Sequence, residues 1–272
     1  MRTSMLPGII HRPGVGTTAG VLQKQALEFK RVLIEQPILI VVEHGSKLLR
    51  QPAGEYLIRA GEAVAIAGGQ TVDLINLPAA DGHYRALWLI WDAALVADHA
   101  LAHAEQSTIR GLLRLSGQGD AWLAAFRRAV EAVGDAALPA DIARHRAAEV
   151  LLWLGLQGGR FAPAESLTVA AKLRRLIGED LAREWSAATV ASALAMSEAT
   201  LRRRLADEAT SLSEILLDAR MTFALNLLQC SGQAVTQIAY HVGYQSPSHF
   251  AVRFRQRFGF SPSAIRQRAL HA

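Results

Sequence analysis

The chain has 272 residues, of which 51% are apolar, and its 29 Lys and Arg residues against 24 Asp and Glu residues give a net charge of +5. This length exceeds the ~100–200 residues usual for one domain and predicts two domains. The sequence has one cysteine, Cys230, which excludes an intrachain disulfide and a multi-cysteine zinc site. We interpret Cys230 as a packed apolar residue. The N-terminus lacks the continuous apolar segment of a signal peptide, and no run approaches the ~18 apolar residues that cross a bilayer, so we predict a cytoplasmic protein without a membrane partner.

Residues 36–92 carry the pattern of short β-strands separated by turns. The strand candidates are apolar, largely β-branched runs at 37–42, 56–59, 63–67, 71–76 and 86–91. Their regular spacing, with Gly, Pro and Asp between them, indicates a small sandwich or barrel. The histidines form no His-x-His pair, and the sequence has no phosphate loop or nucleophile motif. We therefore predict no metal, no cofactor and no enzymatic activity.

Two amphipathic helices are predicted after the strands, at 121–133 and 141–156, because their apolar residues recur at intervals of three and four. A stretch rich in Gly and Pro then interrupts the helical periodicity. We assign residues 158–166 to a linker that joins a domain at 1–157 to a domain at 167–272.

A helix at 167–184 opens the second domain, and a helix-turn-helix pattern follows it. A short apolar helix at 189–194 leads through a turn to a helix at 198–208, which begins after the N-cap candidate Ser197. A Ser-Leu-Ser-Glu capping box then starts a long helix at about 212–229.

The same arrangement recurs after residue 234 and is more specific there. A short apolar helix ends at Gly243, which suits a positive φ. Ser246-Pro247 then supplies an N-cap and a proline at the first helical position. The helix that follows has an inward aromatic stripe with a spacing of four: Phe250, Phe254 and Phe258. In such a unit the second helix enters the DNA major groove.

The stretch from Val235 to Arg266 resembles the signature of the AraC/XylS family of transcription regulators, which runs apolar helix, Gly-aromatic, Ser, Phe, Phe, Phe-Gly, Pro and Arg in this order. The resemblance implies a mixed fold: an N-terminal cupin-like β-barrel with following helices, and a C-terminal all-α domain in which a long helix joins two helix-turn-helix units. We predict structural roles for Arg220 and Arg266, with Arg220 paired to a carboxylate. Ala209 stands where the family often has glycine, which predicts a different type of turn.

The resemblance also implies a function. The chain would be a sequence-specific DNA-binding transcription regulator, an activator, that binds the major groove of double-stranded DNA and contacts RNA polymerase. Its N-terminal domain would sense a small-molecule effector or form a homodimer through the helices at 121–133 and 141–156. An equally good interpretation is that these helices cover the β-structure of their own chain. An alternative is the same DNA binder with a purely structural barrel that answers to a protein partner or to none. A cupin-type enzyme is the least supported interpretation.

The distribution of charge favours a nucleic acid partner. Residues 1–166 hold 16 basic and 16 acidic residues, whereas residues 167–272 hold 13 and 8, so the whole positive excess lies in the second domain. An isolated basic cluster is more simply a solvated surface, but beside two helix-turn-helix patterns it indicates a polyanion ligand.

The outward faces of the two second helices supply the candidate DNA contacts. Arg202 and Arg203 are the strongest candidates for base edges, because Arg binds guanine O6 and N7 with two hydrogen bonds, and a phosphate contact is the alternative for each. The full set of base-edge candidates is Glu198, Ala199, Arg202, Arg203, Ser248, Ala251 and Val252. The phosphate candidates are Arg204, Gln245, His249, Arg253, Arg255 and Arg257. Ala251 and Val252 offer no directional hydrogen bond, so we predict that the second unit anchors the DNA backbone more than it reads sequence.

Overall fold

The structure, a computed structural model, describes residues 8–116, 119–163 and 168–266. Within these residues, the N-terminal part contains ten strands and three helices. The strands are β1 Ile10–Arg12, β2 Gly16–Gln23, β3 Leu27–Ile34, β4 Ile38–His44, β5 Ser46–Gln51, β6 Gly54–Arg59, β7 Ala63–Ile66, β8 Gln70–Leu77, β9 Tyr84–Trp91 and β10 Leu112–Leu115. The helices are α1 Ala93–Ala102, α2 Asp120–Gly134 and α3 Ala140–Leu156. The five predicted strand runs correspond to β4, β6, β7, β8 and β9, and both predicted helices are present.

The strands form a sandwich of two antiparallel sheets, so the predicted β-structure is confirmed but its barrel is not closed. One sheet has the order β1-β2-β9-β4-β7-β10 and the other β3-β8-β5-β6. The long helix α7 (Leu212–Cys230) contacts β2 of the first sheet and β3 of the second. A helix therefore occupies the side of the sandwich on which strands would have to pair to close a barrel.

Helices α2 and α3 cover the six-stranded sheet of their own chain. They pack on each other, and α2 also contacts β1 and β2. The Nε1–H of Trp91 on β9 donates a hydrogen bond to the carbonyl of Ala147 on α3, at 2.8 Å. One face of these helices therefore covers the β-structure of their own chain, as one of the two interpretations predicted. The opposite face of α3 remains exposed.

Two residues of the predicted 158–166 linker belong to the N-terminal unit. The backbone N–H of Arg160 donates to the carbonyl of Ser107, at 2.9 Å. Phe161 is buried, and its ring lies 5.6 Å from that of Trp91. The large aromatic side chain fills the core beneath the sheet and holds the chain there. Residues 164–167 of the linker region lie outside the described residues.

Seven helices follow in the described part of the chain: α4 Val169–Glu179, α5 Ala187–Ala193, α6 Glu198–Asp207, α7 Leu212–Cys230, α8 Val235–His241, α9 Pro247–Phe258 and α10 Pro262–Arg266. Helices α5 and α6 form one helix-turn-helix unit and α8 and α9 a second, joined by α7 as predicted. Helix α4 ends earlier than predicted, because the carboxylate of Asp180 accepts hydrogen bonds from the backbone N–H groups of Ala182 and Arg183 in a turn.

The buried apolar residues form three cores that do not follow the two-domain division. One core lies between the six-stranded sheet and α1–α3. A second contains α4, the first helix-turn-helix unit and the N-terminal half of α7, up to Ala219. The third is continuous from the inner faces of the sandwich through the C-terminal half of α7, from Met221, into the second helix-turn-helix unit. The second unit thus shares a core with the sandwich, and the first unit does not.

Candidate nucleic-acid interface

Helix α6 is the candidate recognition helix of the first unit. Its inward residues Leu201 and Leu205 are buried. Ser197 caps its N-terminus, since its hydroxyl oxygen accepts a hydrogen bond from the backbone N–H of Thr200 at 3.1 Å. The cap and the buried pair fix the rotation of the helix, and that rotation decides which side chains face outward.

The outward face of α6 is exposed and basic. Arg202, with 75% of its side chain exposed, lies 3.4 Å from Glu198 in an i,i+4 ion pair. Such exposed pairs contribute little free energy, so a DNA base can replace the carboxylate as partner. The remaining candidates on this helix are also exposed: Ala199, Arg203 and Arg204. All five are exposed, and their contact with DNA stays a prediction.

Ala209 connects α6 to α7 in the left-handed conformation, with φ +53°. Glycine adopts this conformation without strain, whereas a residue with a Cβ does so at a cost of about 1–2 kcal/mol. The backbone N–H groups of Ala209 and Thr210 both bond to carbonyls of the last turn of α6, at 2.9 Å. The prediction of a different turn type is therefore wrong: alanine makes the turn that glycine would make.

The second unit has the predicted turn and cap. Gly243 has φ +81°, and a Cβ at this position would lie 2.8 Å from the carbonyl oxygen of Leu181. The Ser246 hydroxyl accepts a hydrogen bond from the backbone N–H of His249 at 3.3 Å. The aromatic stripe faces inward as predicted, with all three phenylalanines of α9 buried. Gly243 is thus required both by its backbone conformation and by the close approach of the α4–α5 loop.

The outward face of α9 differs in chemistry from that of α6. Its accessible candidates are Ser248, His249, Val252, Arg253 and Arg255, Ala251 is partly exposed, and Gln245 is exposed in the turn before α9. The His249 ring lies 5.8 Å from the ring of Tyr244, which restricts its orientation. Apolar residues occupy the centre of this face and charged residues its margin, an arrangement that suits backbone anchoring.

Arg257 does not lie on the DNA-facing side, and the predicted phosphate contact is wrong for this conformation. Its side chain is 12% exposed, and its Nε donates to Asp218 Oδ1 on α7 at 2.8 Å. Its Nη1 donates to the carbonyl of Lys30 at 2.8 Å, and its Nη2 to the carbonyl of Arg31. The prediction failed because the carbonyls of Lys30 and Arg31 lie more than two hundred residues away along the chain, and Asp218 lies 39 residues away on another helix.

Arg220 has a structural role, but without the predicted carboxylate. Its Nε donates to the carbonyl of Leu181 at 3.0 Å and its Nη2 to the carbonyl of Arg183 at 3.2 Å. Its guanidinium also lies over the ring of Tyr244, 6.0 Å from the centroid. Arg220 therefore ties the α4–α5 loop to the turn of the second unit. The backbone of Arg266 belongs to α10, and its side chain lies outside the described residues.

A buried polar cluster inside the sandwich was not predicted from sequence. Lys47 on β5 is 5% exposed, and its Nζ donates to Asn76 Oδ1 at 2.5 Å. Asn76 Nδ2 donates in turn to Gln23 Oε1 at 2.9 Å. Lys47 occupies the same period-two face of β5 as the buried Leu49. That placement of a lysine on an apolar face is the one signal in the sequence that predicts this cluster.

Burial shifts the pKa values of Lys47 and of the neighbouring Cys230. It lowers the pKa of Lys47 to about 7 and raises the pKa of Cys230 to about 12, so the cysteine is a packed thiol as predicted. The hydroxyl of Tyr84, whose ring lies 5.5 Å from Lys47 Nζ, has no hydrogen-bond partner among the described residues. The adjoining cleft beside Gln23 and Gln229 holds about 10 Å³, room for a group the size of one water molecule.

Across 8–116, 119–163 and 168–266, no three His, Cys, Asp or Glu side chains come together as a metal site. In the same ranges no helix combines the length and the apolar character needed to cross a membrane.

Comparison with known proteins identifies the C-terminal domain. A family model described as a helix-turn-helix domain matches residues 190–268. Transcriptional regulator SirC of Salmonella typhimurium is 39% identical over 108 residues, which are 40% of this chain and 37% of SirC. The HTH-type transcriptional regulator YdeO of Escherichia coli K12 is 39% identical over 99 residues, which are 36% of this chain and 39% of YdeO. The chain thus spans less than two fifths of the length of these curated relatives.

The fold of the whole chain resembles that of ToxT from Vibrio cholerae. One ToxT structure aligns with a TM-score of 0.65 and 15% identity, and covers 92% of this chain and 97% of ToxT. At this identity the likeness shows the fold alone, a β-rich N-terminal region followed by a helical C-terminal domain. Other structures of ToxT contain an unsaturated fatty acid or (E)-4-(8-methylnaphthalen-1-yl)but-3-enoic acid.

Proposed function

We propose that the chain is a sequence-specific DNA-binding transcription regulator of the AraC type, because residues 190–268 match a family model described as a helix-turn-helix domain. The observation that carries the proposal is the capped helix α6, which buries two leucines and directs three consecutive arginines to solvent. The proposal includes activation, a contact with RNA polymerase and a cytoplasmic location, which rest on the family resemblance.

The two units have different roles in the proposed complex. Recognition helices that enter successive major grooves on one face of the duplex lie roughly 34 Å apart, so one chain reads a site of about two turns. Helix α6 reads base edges through Arg202 and Arg203. Helix α9 adds phosphate contacts from Arg253 and Arg255, each of which steepens the dependence of log affinity on log salt by about 0.9.

Substitution of Arg202 or Arg203 by Ala is expected to weaken binding to the preferred site by about 1–3 kcal/mol, a factor of roughly 5–150, because the guanine contact is lost. The measurement is selection of bound sequences from random duplex DNA by the full-length protein, followed by titration of the selected site. The matched control is Arg175→Ala, which removes an exposed arginine from α4. If the two recognition-helix variants select the wild-type motif with wild-type affinity, α6 is not the reader.

We further propose that the N-terminal sandwich binds an effector that carries a carboxylate. Lys47 is a buried cation whose described partner is an amide rather than an acid, and the Tyr84 hydroxyl beside it lacks a partner. A ligand carboxylate would supply both groups with an acceptor. The two ligands of ToxT are both carboxylic acids. Since the adjoining cleft is nearly filled, we expect the seam between α7 and β2 to open on binding.

We also propose that two copies pair through α3. Its exposed face carries Leu152 and Leu156, which are 50% and 75% exposed, together with Ile142. Ile142, Leu152 and Leu156 occupy three of five positions with the alternating intervals of three and four that form a coiled-coil seam, and His145 and Glu149 occupy the other two. Apolar residues in this spacing gain most by packing against the same helix of a second copy.

The double substitution of Leu152 and Leu156 by Glu is expected to convert a dimer into a monomer of 29.4 kDa, because the charges would be buried at the seam. Sedimentation equilibrium over a range of concentrations measures this. Ala136→Glu, on the exposed α2–α3 turn, is the control and should leave the mass of the assembly unchanged. A wild-type chain that sediments as a monomer at all concentrations would contradict the proposed pairing.

A further inference from the structure

Arg257 connects three elements that belong to different parts of the chain. From the last turn of α9 its guanidinium reaches Asp218 on α7 at 2.8 Å and the carbonyls of two successive residues of β3, Lys30 and Arg31. Its Nε, Nη1 and Nη2 all donate, and the side chain is largely buried. A guanidinium held by a carboxylate and two carbonyls fixes both position and orientation.

The two carbonyls are available because β3 is bulged at this point. The pairing of β3 with β8 shifts register between Phe29 and Val32, and Arg31 has φ +54°, a left-handed conformation that is unfavourable for a residue with a Cβ. The Arg31 backbone N–H donates to Asp73 Oδ1 on β8 at 2.6 Å, which holds the bulge in place. The bulge frees the carbonyls of Lys30 and Arg31 from the sheet and directs them to α9.

Aromatic side chains also join β3 to α9, beside the contacts that Arg257 makes. Phe29, fully buried on β3, makes edge contacts with Phe258 of α9 and Phe260, at centroid distances of 6.4 and 5.4 Å. Phe258 in turn lies 4.7 Å from Phe254. A residue of the sandwich thus completes the aromatic stripe of the second helix-turn-helix unit, and the polar and apolar contacts reinforce each other.

The first helix-turn-helix unit is attached differently. Its inward leucines pack with α4 and with the N-terminal half of α7 in a separate core. Helix α4 approaches the sandwich at Glu35, whose Oε2 lies 3.6 Å from the position that a Cβ on Gly178 would take. Nearby, the Nε of Arg174 on α4 is buried without a hydrogen-bond partner in the described part of the chain. This contact lacks the set of hydrogen bonds that holds α9.

We propose that the β3 bulge and Arg257 form an interdomain latch, which makes the second helix-turn-helix unit a fixed part of the sensor sandwich. The first unit, whose α4–α5 loop Arg220 holds against the turn of the second unit, then pivots relative to this body about that loop and the middle of α7. A change in the sandwich reaches α9 first and alters the distance between the two recognition helices. The effect on DNA rests on the proposed function, whereas the rigid attachment does not.

The latch is tested by hydrogen exchange of the full-length protein and of Asp73→Ala, which removes the carboxylate that holds the bulge. We expect exchange of the backbone amides to rise at least tenfold in β3, α8, α9 and the C-terminal half of α7 together, with no change in α5 and α6. Arg257→Gln should produce the same pattern. The matched control is Glu208→Ala: Glu208 accepts hydrogen bonds from the backbone N–H groups of Val169 and Ala170, both at 2.9 Å, so its loss should raise exchange in α4 and the first unit and leave α9 unchanged.

The outcomes separate the latch from the proposed function. If Asp73→Ala speeds exchange in β3 alone, or equally in both helix-turn-helix units, the latch is overturned whatever the protein does with DNA. If exchange follows the expected pattern, selection of bound sequences provides the second readout. Asp73→Ala should keep the motif read by α6 and accept a wider range of spacings to the second half of the site. A wild-type protein that selects no motif would contradict the proposed function and leave the exchange result standing.

Discussion

Replacement of Phe254 by Ala is expected to lower the free energy of unfolding by about 3–5 kcal/mol, because it removes a buried aromatic ring and leaves a cavity. Phe254 is 0% exposed and lies between Phe250 and Phe258, at centroid distances of 5.6 and 4.7 Å. Domains are commonly stable by 5–15 kcal/mol, so this loss is a large fraction of the total. Since the core is continuous, we expect the sandwich to lose stability together with the second helix-turn-helix unit.

Chemical denaturation followed with two probes measures this effect. Trp88, Trp91, Trp122 and Trp153 lie in the N-terminal part, so tryptophan fluorescence reports mainly on the sandwich and its helices, while far-ultraviolet circular dichroism reports on all helices. Both midpoints should fall together in Phe254→Ala. The control, Leu205→Ala, removes a buried side chain from the core of the first unit and should lower the helical signal first. A fluorescence midpoint that stays at the wild-type value in Phe254→Ala would show that the two parts unfold independently.

Replacement of Lys47 by Met is expected to stabilise the effector-free protein near neutral pH and to abolish the binding of carboxylic acids. A buried ion without an opposite charge destabilises the fold. An apolar side chain of similar length removes the unfavourable free energy of burying this charge. Loss of the donor to Asn76 offsets part of the gain, which leaves a net stabilisation of about 1–3 kcal/mol. The same lysine would thus weaken the empty sandwich and bind the effector.

The dependence of stability on pH provides an independent measurement. Burial lowers the pKa of Lys47 in the folded protein to about 7, against 10.5 as the ordinary value. Between these values the unfolded chain holds the proton and the folded chain releases it, so stability should rise with pH, by up to about 1.4 kcal/mol per pH unit. Below pH 7 both states are protonated and this contribution is flat. The Lys47→Met variant should lack the rise above pH 7.

Thermal denaturation with oleate, an unsaturated fatty acid, tests the binding site. Oleate below its micelle concentration should raise the melting temperature of the wild type and not that of Lys47→Met. Lys172→Met, an exposed position on α4, is the control and should respond as the wild type does. An equal response of all three proteins would mean that the fatty acid binds without using Lys47.

The helix-turn-helix units were predictable from sequence because their signals are local. Caps, the aromatic stripe and Gly243 all act within one or two turns, and the predicted helices differ from the observed ones by a few residues at most in both units. Strands β4, β7 and β9 are almost wholly apolar and were also predicted. Strands β2 and β3 were missed, since β2 begins with Gly and Thr and the bulge in β3 interrupts its alternation.

The contacts between the two parts of the chain could not be predicted, because none has a local pattern. Arg257 reads from sequence as one more exposed arginine of a basic helix, and Phe29 as an ordinary strand residue. Their partners become neighbours only when α7 inserts between the sheets. Long-range packing also explains why the predicted linker includes Phe161, whose burial depends on Trp91.

Helix α7 also determines where this protein can be recombined with its relatives. A junction in the linker between the sandwich and the helix-turn-helix units would divide a single core and expose the aromatic residues that face Phe29. A junction inside α7, between Ala219 and Met221, leaves the fully buried residues of each core on one side, and only the partly buried Leu217 and Phe223 pack across it. The first helix-turn-helix unit with α4 is therefore the module that can be exchanged, while the second unit has to stay with the sandwich whose core it shares.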